Sequence, residues 1–300
     1  MNPSGEQFWL EADDQEASVV EVGGGLRTYT VGGVDLLDGY GVDEMCSGGR
    51  GQLLIPWPNR VKDGRYSFAG EDFQLALTEP SSHNAIHGLV RWANWTATEH
   101  EADRVVMEYV LHPQPGYPFT LGLSVEYRLG AGGLSVATTA TNLGVRPCPY
   151  GAGAHPYIDV GTEWVDDVVL LLPASTYLWG EEAGIPTEQR LTVRSPFRFF
   201  ASMRVGELQL DTGFTGLTDS EAVVSSPDGL RRVRIWWDES HQYVMLFTGD
   251  TLAPDRRRRS LAVEPMTCAP NAFVSGDGLR VLDPEESWTT TWGIAPGPRL

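Results

Sequence analysis

A chain of 300 residues with 41% hydrophobic content is long enough to bury a substantial core, as one large domain or two small ones. Its formal net charge of −18, from 22 Lys and Arg against 40 Asp and Glu, works against phosphate backbones and anionic membrane surfaces, which must be met by positive charge. Nucleic acid and membrane are therefore excluded as expected partners, and no apolar run approaches the roughly 20 residues of a membrane-crossing helix.

At the N-terminus, Met1 to Asp14 carries Glu6, Glu11, Asp13 and Asp14 and lacks the basic start and apolar core of an export signal. Cys46, Cys148 and Cys268 are too widely spaced for a disulfide framework or a metal knuckle. Both features predict a protein of the reducing cytoplasm. Short β-branched and aromatic runs then follow one another between Gly and Pro, which is the pattern of strands joined by turns. The first runs from Ser18 to Val22. Val105 to Leu111 and Leu121 to Leu129 flank the turn-rich stretch His112 to Pro118, and the second of them alternates apolar with small or polar residues. Gly130-Ala131-Gly132-Gly133 leads into a further alternating run, Leu134 to Thr141, so three consecutive strands are expected to form an antiparallel meander. Further strands are predicted at Ala222 to Ser226, Arg231 to Trp237, Tyr243 to Thr248 and Trp288 to Ile294. The run Arg256-Arg257-Arg258-Arg259 beside Asp255 reads as a solvated loop. With no long helix and no fixed repeat of 20 to 50 residues, the expected fold is all-β, a large antiparallel β-sandwich occupying residues 1–300 as a single domain.

Chemistry-bearing residues gather in segments punctuated by Gly or Pro: Ile55 to Tyr66, His83 to Trp92, Gly151 to Tyr157 and Ala262 to Met266. Aromatic rings beside polar groups suit a sugar, whose ring has apolar C–H faces and a rim of hydroxyls. Trp57, Trp92, Tyr157 and Trp236 are candidates for such a floor, although core packing is the ordinary role of each taken alone. The glycine-rich approach to His155 and the following Pro156 predict a fixed, exposed imidazole, and Glu264 is unusual in standing between apolar Val263 and Pro265. His83 and His87 are four residues apart, but Gly88 and the absence of a further ligand set argue against a helical metal site, and no metal is expected. Asp211-Thr212-Gly213 lacks the second partnered aspartate that an aspartic protease needs.

Five segments, in order along the chain, resemble the aldose 1-epimerase (galactose mutarotase) family. They are Pro58-Asn59-Arg60 with Gly64-Arg65-Tyr66, Ile86-His87-Gly88-Leu89 with Trp92, Ala154-His155-Pro156-Tyr157, Leu210 to Thr215, and Val263-Glu264-Pro265-Met266. One departure is His83-Asn84-Ala85-Ile86, which stands where some members carry a His-Gly-His pattern. The resemblance implies the galactose mutarotase-like supersandwich, with a sugar in an open cleft and no cofactor. It also implies roles: Glu264 as general base, His155 as general acid, and Arg60, His87 and Asp211 as groups that bind and orient the substrate, with Trp92 and Tyr157 beside them.

That chemistry suits the residue types. Opening a sugar ring at its anomeric carbon takes a proton from the anomeric hydroxyl and gives one to the ring oxygen, so two opposed proton carriers suffice. Rotation about C1–C2 and reclosure then exchange the anomers. Two alternatives stand beside this reading: a carbohydrate-binding protein on the same fold without turnover, and a mutarotase for an anionic sugar served by Arg60, Lys62, Arg65 and Arg91.

Overall fold

The computed structural model describes residues 1–180, 184–187 and 190–297. Among them, the largest sheet has nine strands and is antiparallel throughout. Toward one edge it holds the expected meander, Arg104–Leu111, Leu121–Gly130 and Gly133–Asn142, next to the central strand Ser287–Pro296 and then Arg232–Trp237. The period-two alternation has a direct structural consequence. Leu129 faces Leu134, Tyr127 faces Val136 and Leu123 faces Ala140, and the row continues as Val136 against Trp292 and Ile235 against Ile294. Every one of these side chains is buried, whereas their neighbours Glu126 and Arg128 lie on the outer face. A strand slipped by one residue would exchange the two sets, so burial fixes the register.

A six-stranded antiparallel sheet packs into the same core, ordered Tyr157–Ile158, Leu261–Met266, Tyr243–Phe247, Asp211–Leu217, Ala174–Leu178 and Arg190–Thr192. One face of it presents Val263, Leu246 and Phe214 to the core. The opposite face carries Glu264, Met245 and Gly213 in one row and Ala262, Phe247 and Asp211 in the next. Every residue of Leu261–Met266 is buried, because this second face is also covered. A four-stranded N-terminal sheet, Gln7–Ala12, Gln15–Val20, Leu26–Val31 and Val34–Asp35, completes the larger architecture. The first two of its strands are joined by Asp13-Asp14, with Asp13 in the left-handed region that Asp tolerates in tight hairpins.

The basic run is a loop, as expected, with Arg257 exposed, but its other three arginines are tied down instead of freely solvated. Arg256 pairs with Asp38 and Glu44, Arg258 pairs with Asp166 and Asp250 and donates to the carbonyls of Leu208 and Gly206, and Arg259 stacks on Trp164. These arginines tie the segment between the strands Tyr243–Phe247 and Leu261–Met266 to acids from distant parts of the chain. The cysteines are buried free thiols. Among the described residues, no helix is long and apolar enough to cross a membrane.

Candidate active site

His155 reaches Glu264 because its segment is held between two others. On one side Leu54 N donates to Gly153 O (2.8 Å) and Gly51 N to His155 O (2.9 Å); on the other, Thr267 N donates to Ala152 O (2.9 Å). This places the imidazole Nε2 3.3 Å from Glu264 Oε1, with both side chains almost wholly buried. The expected exposed imidazole is therefore corrected: His155 is 4% accessible. His155 Nδ1 and Glu264 Oε2 have no hydrogen-bond partner. Burial drives the two groups in opposite directions. It pushes the Glu264 carboxyl well above its ordinary value of 4.5, helped by the charge of Asp211, and pulls His155 down to about 3, with Arg91 and Arg50 adding to the effect. Both directions favour a carboxylic acid facing a neutral imidazole.

A cleft of about 270 Å³ opens at this pair, lined also by Gln52, Arg60, Glu79, His87, Arg91, Trp92, Asp211 and Phe247. That volume is just below the about 300 Å³ at which sites for drug-sized ligands begin, and suits a single sugar ring. Arg60 also forms part of the wall. Its guanidinium is bidentate on Glu79 (2.8 and 2.9 Å) and donates to Asp211 (3.0 Å), so its direction is set by three hydrogen bonds to two acids. Burial raises the Asp211 carboxyl's affinity for a proton, and Arg60 opposes this.

His87 follows the short strand Asn84–Ile86, which pairs with Arg60–Lys62. It sits in the left-handed region, and its Nδ1 accepts the backbone N–H of Asn59 at 3.2 Å. An accepting Nδ1 leaves Nε2 as the protonated nitrogen of the neutral ring. The neutral form is enforced by burial, which pulls His87 well below its ordinary 6.5, with His155 and Arg91 contributing. The two imidazoles meet edge to face, their centroids 5.4 Å apart. Gly88 carries the chain onward from His87 with φ +69°, and a Cβ there would lie 1.9 Å from Ile55 O, so only glycine fits.

Of the residues expected from the sequence, Glu264, His155, Arg60, His87, Asp211 and Trp92 converge on this cleft, and Trp92 is largely exposed along its rim. Tyr157 does not line it. The turn around Gly48–Arg50 roofs its ring, its hydroxyl donates to Gly48 O at 2.8 Å, and 1% of the residue is accessible. Trp57 packs against Phe273 in the interior, and Trp236 lies on the nine-stranded sheet. Lys62 and Arg65 are also outside the cleft lining, which leaves Arg60 and Arg91 as its cations. His83 bonds to Asp63, and among the described residues no group of three or more His, Cys, Asp or Glu forms a metal-type cluster. Glu79 and Gln52 belong to the site without having been singled out. Asn59, expected only as part of the segment before Arg60, lines it too, in the left-handed backbone that Asn tolerates.

The pattern of the aldose 1-epimerase family matches residues 7–295. The uncharacterized Escherichia coli K12 protein YihR is 36% identical over 285 residues, covering 94% of this chain and 91% of its own. Among solved structures, the GalM/aldose epimerase homologue of C. elegans superposes with a TM-score of 0.87 at 18% identity, over 98% of this chain and 99% of its own. Galactose 1-epimerase from Lactobacillus acidophilus NCFM superposes with a TM-score of 0.82 at 21% identity, over 97% and 94%. At these identities the two structures speak to the fold.

Proposed function

The chain belongs to the aldose 1-epimerase family, and on that footing we propose that it interconverts the α and β anomers of a free aldose by acid–base ring opening at Glu264 and His155. The observation that carries this reading is the buried pair itself: two proton carriers 3.3 Å apart at one wall of a polar cleft. In the resting pair we place one titratable proton on the carboxyl, the direction in which burial drives both groups. A shift of that proton from the carboxyl to the imidazole gives carboxylate and imidazolium with no change in net charge. Glu264 then takes the proton of the anomeric hydroxyl while His155 protonates the ring oxygen, the C1–O5 bond opens, and the pair returns to carboxylic acid and neutral imidazole. Rotation about C1–C2 and the reverse transfers close the ring as the other anomer. Arg60 offers a fixed positive charge and N–H donors, Glu79 and Asp211 beside it offer acceptor oxygens for sugar hydroxyls, His87 presents a donor, and Trp92 covers an apolar ring face.

The test is the decay of optical rotation of freshly dissolved α-D-glucose and α-D-galactose. Acceleration by the wild-type protein that is lost in Glu264→Gln supports the reading. Binding of aldoses without any acceleration across a broad panel would replace it with the carbohydrate-binding alternative.

Arg91 favours a second reading, in which the aldose carries an anionic substituent. Among the described residues it has no carboxylate partner, and its guanidinium reaches only Gln52 Oε1 at 3.5 Å and Ile86 O at 3.4 Å. A partly buried guanidinium left unpaired at the cleft wall, in a chain so rich in acids, is a ready counter-charge for a ligand anion. Arg91→Met should then reduce kcat/KM for glucuronate or glucose 6-phosphate by at least tenfold relative to glucose. Equal losses on neutral and anionic sugars would refute it.

A further inference from the structure

Beyond the Tyr157 ring that stacks on His155 lies a buried cation that the mechanism does not use. The Arg50 side chain is 2% accessible, lies outside the cleft, and pairs with Asp38 at 3.1 Å. Asp38 in turn takes Arg256 at 3.1 Å and the Ser260 hydroxyl at 2.6 Å, so this end is anchored to the segment that the basic run secures. The Arg50 guanidinium stands over the Tyr157 ring, 4.4 Å from its centroid. Tyr157 lies nearly parallel to His155, with an interplanar angle of 15° and centroids 4.9 Å apart. The turn closes on the imidazole from another side: a Cβ on Gly49 would come within 2.8 Å of His155 Cδ2. Burying an arginine with its acid is costly, and Arg50 Nε is left without a partner, so packing alone is a poor reason for it.

We propose that Arg50 is a positioning residue for His155: acting through the Tyr157 ring, it fixes the plane of the imidazole toward Glu264. The proposal builds on the assignment of His155 and Glu264 as the proton-transfer pair. Two physical effects combine in it. A guanidinium over an aromatic face is an attractive contact that orders the ring, and an ordered ring orders what stacks on it. The positive charge also opposes a second positive charge nearby. His155 is faced by Glu264 on the strand Leu261–Met266, by His87 and Arg91 on the segment after Asn84–Ile86, and by Tyr157 and Arg50 behind it. Of the cations, Arg91 borders the cleft, where a bound ligand changes its surroundings; Arg50 is out of the ligand's reach.

The test uses Arg50→Met and, separately, Tyr157→Leu, which removes the intermediary ring and leaves the Arg50–Asp38 pair in place. The first readout is nitrogen-15 NMR of the His155 imidazole, assigned with His155→Gln. It needs no turnover, so its outcome stands apart from that of the anomer-exchange reading. In Arg50→Met the His155 resonances should titrate at higher pH than in the wild-type protein; in Tyr157→Leu, which keeps the charge but loses the stacked ring, the imidazole shifts should change. The second readout is anomer exchange against pH: kcat should fall roughly 10- to 100-fold, the scale of a misaligned reacting group, while KM stays within about twofold. A folded variant with unchanged imidazole shifts and titration overturns the proposal, as does a loss confined to KM. Should Arg50→Met fail to fold, Tyr157→Leu decides by the same criteria.

Discussion

Replacing Glu264 by Gln should abolish anomer exchange and, at the same time, stabilise the protein by an amount that grows with pH. The carboxyl is fully enclosed, one oxygen has no partner and the other has only His155 at 3.3 Å, so its proton affinity is raised well above the ordinary 4.5. Below pH 4.5 the folded and unfolded chains both hold this proton, and wild type and variant should differ little. Above it the unfolded chain releases the proton while the folded one retains it. Wild-type stability then falls by about 1.4 kcal/mol per pH unit until the folded carboxyl itself ionises, and Gln is spared this loss. In a domain of this size 1 kcal/mol corresponds to about 2 °C in Tm, so the gap between variant and wild type should widen by about 3 °C for each pH unit above that point. Over the same range exchange should fall by about 10²–10⁴-fold, the contribution of a positioned proton carrier. Differential scanning calorimetry from pH 4 to 8, paired with polarimetry, measures both. A Tm difference independent of pH would mean that the folded protein holds Glu264 ionised, and the one-proton resting pair would be wrong. Exchange that survives the substitution would remove Glu264 from the chemistry.

Arg60→Met strands Glu79 and Asp211 beside each other without their shared cation. Because both acids are partly solvated, the expected cost is about 2–3 kcal/mol, below the full value for a buried pair, together with a raised KM; urea unfolding and sugar kinetics check it. Gly88→Ala and Gly276→Ala make an internal comparison, since their φ angles are +69° and +78° but only the first has a carbonyl, Ile55 O, in the way of a Cβ. The second should cost about 1 kcal/mol through backbone strain alone. The first should cost several times that and weaken sugar binding by displacing His87 from Asn59; equal Tm shifts for the two would refute the steric argument.

How far the fold was legible follows from which strands have one wet face. Leu121–Gly130 and Gly133–Asn142 alternate because each has a core side and an outer side, and their observed limits differ from the expected ones by a residue. Leu261–Met266 has no wet face, so its six residues read as an apolar run with one acid in it, and the sequence called attention to the acid without revealing a strand. The N-terminal hairpin was half seen. Its second strand, Gln15–Val20, overlaps the predicted run, but Gln7–Ala12 mixes charged residues with aromatics and its turn is made by Asp13-Asp14, without glycine. The basic run misled for another reason. Four adjacent arginines look like a solvated face until the acids that hold Arg256 and Arg258 are found, Asp250 close by and Asp166 and Asp38 from 92 and 218 residues away.

The site divides along the same line between local and long-range information. Arg60, His87, His155, Asp211 and Glu264 stand in short segments whose order could be matched to a family, whereas Glu79, which holds Arg60 by two hydrogen bonds, has no spacing or motif to announce it. Tyr157 shows what a local argument could still have supplied. In extended chain, residues two apart point the same way, so the sequence His155-Pro156-Tyr157 places the two rings side by side. Side by side they can both face a ligand, or one can back the other. The choice is made by the turn Ser47 to Gly51, which brings Arg50 over the tyrosine and leaves the histidine facing Glu264. The same closure that hides Tyr157 dehydrates the pair, and dehydration is the largest cause of the raised proton affinity of Glu264 and the lowered one of His155. Position and protonation at this site therefore have one cause, and a substitution that loosens the turn should disturb both together.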